Sequence, residues 1–403
     1  MSLRILFVDD EIKVLEGLQR SVRPLRKEWD AYFANSGPEG LRLLAEKQFD
    51  VVVTDMRMPG MDGVAVLKAV MEQYPQLLRI ILSGYSDMES IIKSAGVAHQ
   101  YLSKPCSIEE IKSAVTRAVS LNCLLGNPEL KRLLSGVNTI PSLPHLFSEL
   151  TKLVNDPNSS MAQIEALVAR DIGMSAKVLQ LVNSAFFGRS RQIAGPAEAV
   201  RYLGLGTLKA LSLAVHVFEN FEGRQGSAAF VAELWEHSSQ CGAVAEKIAR
   251  AIRPGDHPLH DETAMAGLLH ELGRLLLACN LHEQYQQSVA LAAEQNIPVW
   301  KAERQIFKAS HAEAGAYIMA FWGLPQAIVE AIAYHHTPAD CPVETFCALT
   351  AIHIADVLIQ ENDQRITCDR PAELDMAYLA KVGVADRLNE FRKIVSDARA
   401  RVA

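Results

Sequence analysis

The sequence predicts two architectures in series, a doubly wound α/β unit with a five-stranded parallel sheet and then an all-α unit. Three observations carry this. Short, nearly continuous apolar runs alternate with amphipathic stretches over residues 1–122, as strands covered on both faces and their crossover helices should. From about Asn138 onward the apolar residues recur at three and four instead, with no convincing run of strands. The 403 residues exceed what one ordinary core accommodates.

In chain order, the strand candidates are Arg4–Val8, Ala31–Ala34, Val51–Thr54, Arg79–Leu82 and Gln100–Ser103. The helical patterns between them are Ile12–Val22, Pro38–Lys47, Val64–Gln73, Ser86–Ser94 and Ile108–Leu121. Five β-α repeats in this order build a parallel sheet between helical layers. A connector over 123–137 follows, punctuated by Gly126-Asn127-Pro128 and Ser135-Gly136, and Pro141 and Pro144 mark a second entry. Beyond it, Asn155-Asp156-Pro157 forms a turn that leaves Ser159 or Ser160 to cap the next helix, and Gly223–Ser227 reads as a loop. The run Leu268, Leu272, Leu275, Leu276 and Cys279 reads as one helix that also carries His270 and Arg274, four apart on one face. His335 and His336 end a helix that Thr337-Pro338 stops. The domain organisation expected is thus 1–122, a linker 123–137, a helical domain 138–340 and a helical C-terminal extension 341–403.

A net charge of −7 argues against a general nucleic-acid binder, so no direct DNA binding is expected. The apolar stretch Leu3–Val8 runs into Asp9, Asp10 and Glu11 too soon for a signal peptide. The longest apolar stretch, Ala264–Cys279, is interrupted by His270, Glu271 and Arg274, so no membrane span is expected either. The seven cysteines contain no C-x-x-C pair and read as free thiols of a cytoplasmic protein.

Three carboxylates fall at strand ends: Asp9 and Asp10 after the first strand, and Asp55 after the third. In a doubly wound sheet these ends converge on one crevice. Clustered carboxylates repel unless a cation joins them, and hard oxygen ligands suit Mg2+. Ser83 closes the fourth strand and Lys104 follows the fifth, adding a hydroxyl and an ammonium. Together they suit phosphoryl transfer onto Asp55, in which charge stabilisation supplies most of the catalysis.

The segments Ile5-Leu6-Phe7-Val8-Asp9-Asp10-Glu11, Thr54-Asp55-Met56-Arg57-Met58-Pro59-Gly60-Met61-Asp62-Gly63, Ser83-Gly84-Tyr85 and Lys104-Pro105 resemble the response-regulator receiver family, a flavodoxin-like (CheY-like) fold. The resemblance implies Asp55 as phosphoacceptor, with Asp10, Asp55 and the Arg57 carbonyl as Mg2+ ligands and Asp9 assisting. It further implies a switch pair, Ser83 and Tyr101, and a phosphoryl contact from Lys104 beside a cis bond to Pro105. A sensor histidine kinase is the implied phosphodonor, and homodimerisation through the fourth and fifth β-α units is expected from the family.

Eleven of the twelve histidines lie after residue 122, so a metal site belongs in the helical part. His237, His270, Glu271, His311, His335, His336 and Asp356 are its ligand types, suited to Zn, Fe or Mn. Adjacent histidines on a helix point about 100 degrees apart, which alone argues for surface or capping roles. The segments Ile140-Pro141-Ser142-Leu143-Pro144, Leu181-Val182-Asn183-Ser184-Ala185-Phe186-Phe187-Gly188, Ala199-Val200-Arg201-Tyr202-Leu203-Gly204, Leu268–Arg274 and Trp322-Gly323-Leu324-Pro325 resemble the HDOD domain, a relative of the HD phosphohydrolases. Against the HD pattern, His237, His270 and Asp356 match, Glu271 replaces Asp, and Arg274 replaces a Lys. His311, His335 and His336 resemble the further ligands of HD-GYP cyclic-dinucleotide phosphodiesterases, without the Gly-Tyr-Pro. These departures imply a vestigial site and a non-catalytic output acting on a partner protein. The alternative is a metal-dependent phosphodiesterase of cyclic dinucleotides under receiver control.

Overall fold

The computed structural model describes residues 2–83, 97–104, 106–120, 125, 128–135, 144–156, 159–183, 193–213, 228–361 and 373–399. Its first part is a five-stranded parallel sheet in the order β2-β1-β3-β4-β5. The strands are β1 (Leu3–Val8), β2 (Trp29–Ala34), β3 (Val51–Asp55), β4 (Leu78–Ser83) and β5 (Gln100–Ser103). Helices α1 (Ile12–Val22), α2 (Gly37–Glu46), α3 (Gly63–Gln73) and α4 (Ile108–Ser120) connect or follow them. β3 and β4 are buried throughout, as strands covered on both faces must be. The register sets Ser83 beside Ser103 and Asp55 beside Leu82, so the functional strand ends share one edge of the sheet. The expected helix over Ser86–Ser94, the loop Gly223–Ser227 and residue Pro105 lie outside the described residues.

Within the predicted connector, Pro128–Ser135 is helical (α5) and its Leu130 and Leu134 are buried. Helices follow at α6 (Pro144–Asn155), α7 (Met161–Val168), α8 (Ile172–Asn183), α9 (Pro196–Leu213), α10 (Ala228–Ile252), α11 (His257–Leu269), α12 (Leu272–Asn280), α13 (His282–Gln295), α14 (Val299–Phe307), α15 (His311–Phe321), α16 (Gln326–Tyr334) and α17 (Ala348–Gln360). The chain closes with α18 (Met376–Val382) and α19 (Leu388–Arg399). Ser160 caps α7 through a reciprocal box with Gln163. Asn183 clasps the returning chain, its amide donating to the Ile193 carbonyl and its oxygen accepting from the Ile193 N–H, both at 2.6 Å.

One expectation is corrected. The run through Leu268 and Cys279 is two helices, not one: α11 ends at Leu269, and Glu271 (φ −91°, ψ 3°) leaves helical geometry before α12 starts. His270 and Arg274 therefore do not share a continuous helix face. The break follows from packing on both sides. A Cβ on Gly267 would stand 2.6 Å from the Gly242 Cα, so these two glycines let α10 and α11 cross backbone to backbone. The next helix instead presses Gly273 against α15, and one straight helix cannot serve both crossings.

Candidate functional site

Two sites emerge. At the carboxyl edge of the sheet, Asp9 and Asp55 are buried and Asp10 is partly exposed. The Lys104 ammonium lies 2.7 Å from Asp9 Oδ2 and also pairs with Asp55 Oδ1. Asp9 Oδ1 accepts from the Glu11 N–H at 2.9 Å, and Asp55 Oδ2 accepts from the Arg57 N–H at 3.0 Å. Burial raises the Asp55 pKa and Lys104 opposes the rise, while the Asp9 charge adds to it. Burial would lower Lys104, but Asp55 and Asp9 together raise it, so the ammonium persists. The Lys104 N–H donates to the Ser83 carbonyl at 2.8 Å, which ties β5 to β4 at the crevice. Ser83 is fully buried there. The Tyr101 side chain lies outside the described residues. The donor set of Asp9, Asp10, Asp55 and the Arg57 carbonyl is all oxygen, and a partly exposed carboxylate leaves room for water; both fit Mg2+.

The second site is in the helical part, where all seven predicted residues converge. His237 comes from α10, His270 caps α11, Glu271 precedes α12, His311 starts α15, His335 and His336 follow α16, and Asp356 lies on α17. The ligand atoms of His311, His335 and His336 lie within 4.8 Å of one another, as do those of His237, His270 and Asp356, and those of His270, Glu271 and His335. His237 Nε2 is 3.0 Å from Asp356 Oδ1 and 3.3 Å from His270 Nε2. His311 Nε2 is 3.6 Å from Glu271 Oε2 and 3.0 Å from His336 Nε2. All are buried except His336, which is partly exposed.

The outward nitrogens set the imidazole tautomers. His270 Nδ1–H donates to the Gly267 carbonyl at 2.7 Å, and His335 Nδ1–H to the Ile332 carbonyl at 2.8 Å. His311 Nδ1–H donates to Glu303 Oε2 at 2.7 Å. Each leaves Nε2 facing the cluster, the arrangement in which imidazoles ligate metals. Among the described residues His335 Nε2, Glu271 Oε2 and Asp356 Oδ2 are buried without a hydrogen-bond partner, and such atoms are costly unless something ligates them. Imidazole and carboxylate donors with orphaned inward atoms fit a borderline divalent metal.

The charges of the cluster depend strongly on one another. Burial would lower His311, but Glu303 and Glu271 outweigh it and raise it to about 9. Burial would raise Glu271, yet His311 and Arg274 hold it down at about 2. Burial and then the neighbouring His270 push His335 down to about 3, leaving it neutral as a ligand must be. Glu303 is the residue sequence reasoning missed. Its signal was present, since it falls on the apolar stripe of α14 with Val299, Ala302 and Phe307, where a carboxylate needs a buried partner. Arg274 is also buried, with Nε donating to the Tyr285 hydroxyl at 2.9 Å and Nη1 lying 3.7 Å from Glu271.

Family models match both parts of the chain. The response regulator receiver domain model matches residues 5–116, and the HDOD domain model matches residues 140–338. The N-terminal part therefore belongs to the receiver family and the helical part to the HDOD family. The chain thus carries a response regulator receiver domain followed by an HDOD domain. It is similar to a protein of Treponema pallidum (strain Nichols), 28% identical over 227 residues covering 56% of this chain and 43% of that protein. It is also similar to the hydrogenase transcriptional regulatory protein HoxA of Cupriavidus necator, 30% identical over 180 residues, 41% of this chain and 37% of that one. The chain thus spans less than half the length of these curated relatives. In fold it resembles a virulence factor from Campylobacter jejuni subsp. jejuni, with a TM-score of 0.52 and 18% identity, covering 68% of this chain and 96% of that one. No described helix is long and apolar enough to cross a membrane.

Proposed function

We propose that this chain is a two-component regulator in which Asp55 accepts a phosphoryl group from a sensor histidine kinase and the HDOD domain passes the signal to a partner protein. The observation that carries the reading is the Lys104 ammonium held between Asp9 and Asp55 at the sheet edge. In the transfer, an Asp55 oxygen attacks phosphorus as the P–N bond to the kinase imidazole breaks, and the imidazole leaves. Asp55 must be ionised for this; burial works against it and Lys104 partly offsets that effect. Asp9, Asp10, Asp55 and the Arg57 carbonyl would hold Mg2+, which would neutralise charge on the phosphoryl oxygens. Once Asp55 is converted to its acyl phosphate, Lys104 exchanges a carboxylate oxygen for a phosphoryl oxygen. Asp55→Asn should abolish the Mg2+-dependent shift that acetyl phosphate produces on a phosphate-affinity gel, and an unchanged shift would refute the assignment. A pull-down of wild type against Asp55→Asn, read by mass spectrometry, identifies the partner.

Within this reading His237, His270, Glu271, His311, His335, His336 and Asp356 would hold a metal. The inward Nε2 atoms and orphaned carboxylate oxygens support it. Their convergence also favours a second reading, a metal-dependent phosphodiesterase of cyclic dinucleotides. Against hydrolysis stand the burial of all but His336 and the engagement of Arg274 with Glu271 and Tyr285, which leaves a permanently charged guanidinium where a proton donor would sit. Metal analysis of the purified chain and of His270→Ala, with an assay of cyclic-dinucleotide hydrolysis, separates the two: metal without turnover supports the regulator, and metal with turnover supports the enzyme.

A further inference from the structure

Among the elements of the helical domain that the receiver touches, one pair of helices also carries metal-type ligands. Helices α15 and α16 form a hairpin whose turn is Trp322–Pro325. At the turn, Gln100 at the start of β5 donates its side-chain amide to the Phe321 carbonyl at 3.3 Å. The neighbouring His99 ring meets the Phe321 ring edge-on, with centroids 4.8 Å apart. The His99 carbonyl accepts from Gln180 of α8 at 3.5 Å, and the Arg79 N–H of β4 donates to His99 Nδ1 at 3.0 Å. Gly323, at φ +74°, supplies the left-handed turn residue and lies beside Gln100, where a Cβ would make ordinary van der Waals contact at 3.5 Å. Helices α4 and α5 pack along α15 as well.

At the other end of the hairpin are the ligands. His311 is the first residue of α15, anchored by the capping box of Ser310 with Glu313 and by Glu303. His335 and His336 follow the last residue of α16. With 11 residues, α15 spans about 16 Å between the two ends. The trio His311, His335 and His336 thus rides on the hairpin, whereas His237, His270 and Asp356 belong to α10, α11 and α17. Three residues separate Gln100 from Lys104, which grips the phosphoacceptor at the far end of β5.

We propose that the α15–α16 hairpin is a lever through which the state of Asp55 moves the His311–His335–His336 trio against the His237–His270–Asp356 trio. Phosphorylation draws Lys104 from Asp9 towards the phosphoryl group and displaces β5. Gln100 and His99 transmit that displacement to the turn, and the packed helices carry it to the ligands as a rigid-body shift. The proposal rests on the reading of the cluster as a metal centre for its consequence, a change in metal affinity, but not for the motion itself.

The test uses the full chain at saturating Mg2+, with and without beryllofluoride as the phosphoryl mimic. Two quantities are read: hydrogen exchange of the α15 and α16 amides, and Co2+ affinity from its d–d absorption, assigned by loss of the band in His335→Ala. Beryllofluoride should change exchange in both helices and shift Co2+ affinity by at least about fivefold, the low end of allosteric couplings. Gln100→Ala and Gln180→Ala, each first shown to retain beryllofluoride-dependent protection around Asp55, should lose most of both effects. If α15 and α16 respond as expected but no Co2+ band forms, the lever stands and the metal reading falls. If Asp55 is protected while α15 and α16 do not change, or if both variants respond like wild type, the lever is refuted whatever the metal does.

Discussion

Lys104 is the only described ammonium paired with both Asp9 and Asp55, so its removal strands two buried carboxylates. Lys104→Ala should cost about 2 kcal/mol, less than a fully buried pair because the side chain is 27% exposed. Mg2+ should restore more of the thermal midpoint in this variant than in wild type, as scanning fluorimetry would show. A second lysine behaves in the opposite way. Lys177 on α8 is fully enclosed, its ammonium 5.5 Å from the Trp322 ring centroid, and burial lowers its pKa to about 7. Its ordinary value is 10.5, so between pH 7 and 10.5 the unfolded chain binds the extra proton. Stability therefore rises with pH across that window, by up to about 1.4 kcal/mol per unit. Lys177→Met should flatten the rise when denaturant unfolding is compared at pH 7 and pH 9, and an unchanged slope would count against this account.

Helix crossings, more than single side chains, set the distances within the histidine cluster. Gly273 of α12 faces the His311 carbonyl and Gly315 of α15 so closely that a Cβ would overlap that carbonyl and stand 2.7 Å from the Gly315 nitrogen. This approach brings Glu271, just before α12, to His311, the first residue of α15. Gly273→Ala should destabilise the chain by about 2 kcal/mol or more, since backbone rather than a flexible side chain must yield. It should also weaken metal binding at least as much as Glu271→Ala does, measured by Co2+ titration. A substitution with neither effect would show that the crossing does not set the cluster.

Across the whole molecule the two halves share one continuous apolar core, from β5 and α4 through α5 to α15. A metal bound only by the folded chain stabilises all that packs on its ligands. At a hundred times its dissociation constant the gain should be about 2.7 kcal/mol. Chelator should reverse it, and His335→Ala should show neither gain nor reversal in calorimetry. The sequence by itself determined the strand and helix order of the first part, because side-chain period and turn chemistry are local, and it placed Asp9, Asp10, Asp55 and Lys104 at one sheet edge by topology. It also named all seven members of the histidine cluster, although periodicity alone spread them over separate helices. Only the tertiary structure decided that they meet, because backbone crossings at Gly242, Gly267 and Gly273 set distances between segments far apart in the chain. The break at His270–Glu271, the role of Glu303 and the contact of Gln100 with Phe321 were likewise decided there. Each depends on what a residue packs against, and a local pattern holds no record of that.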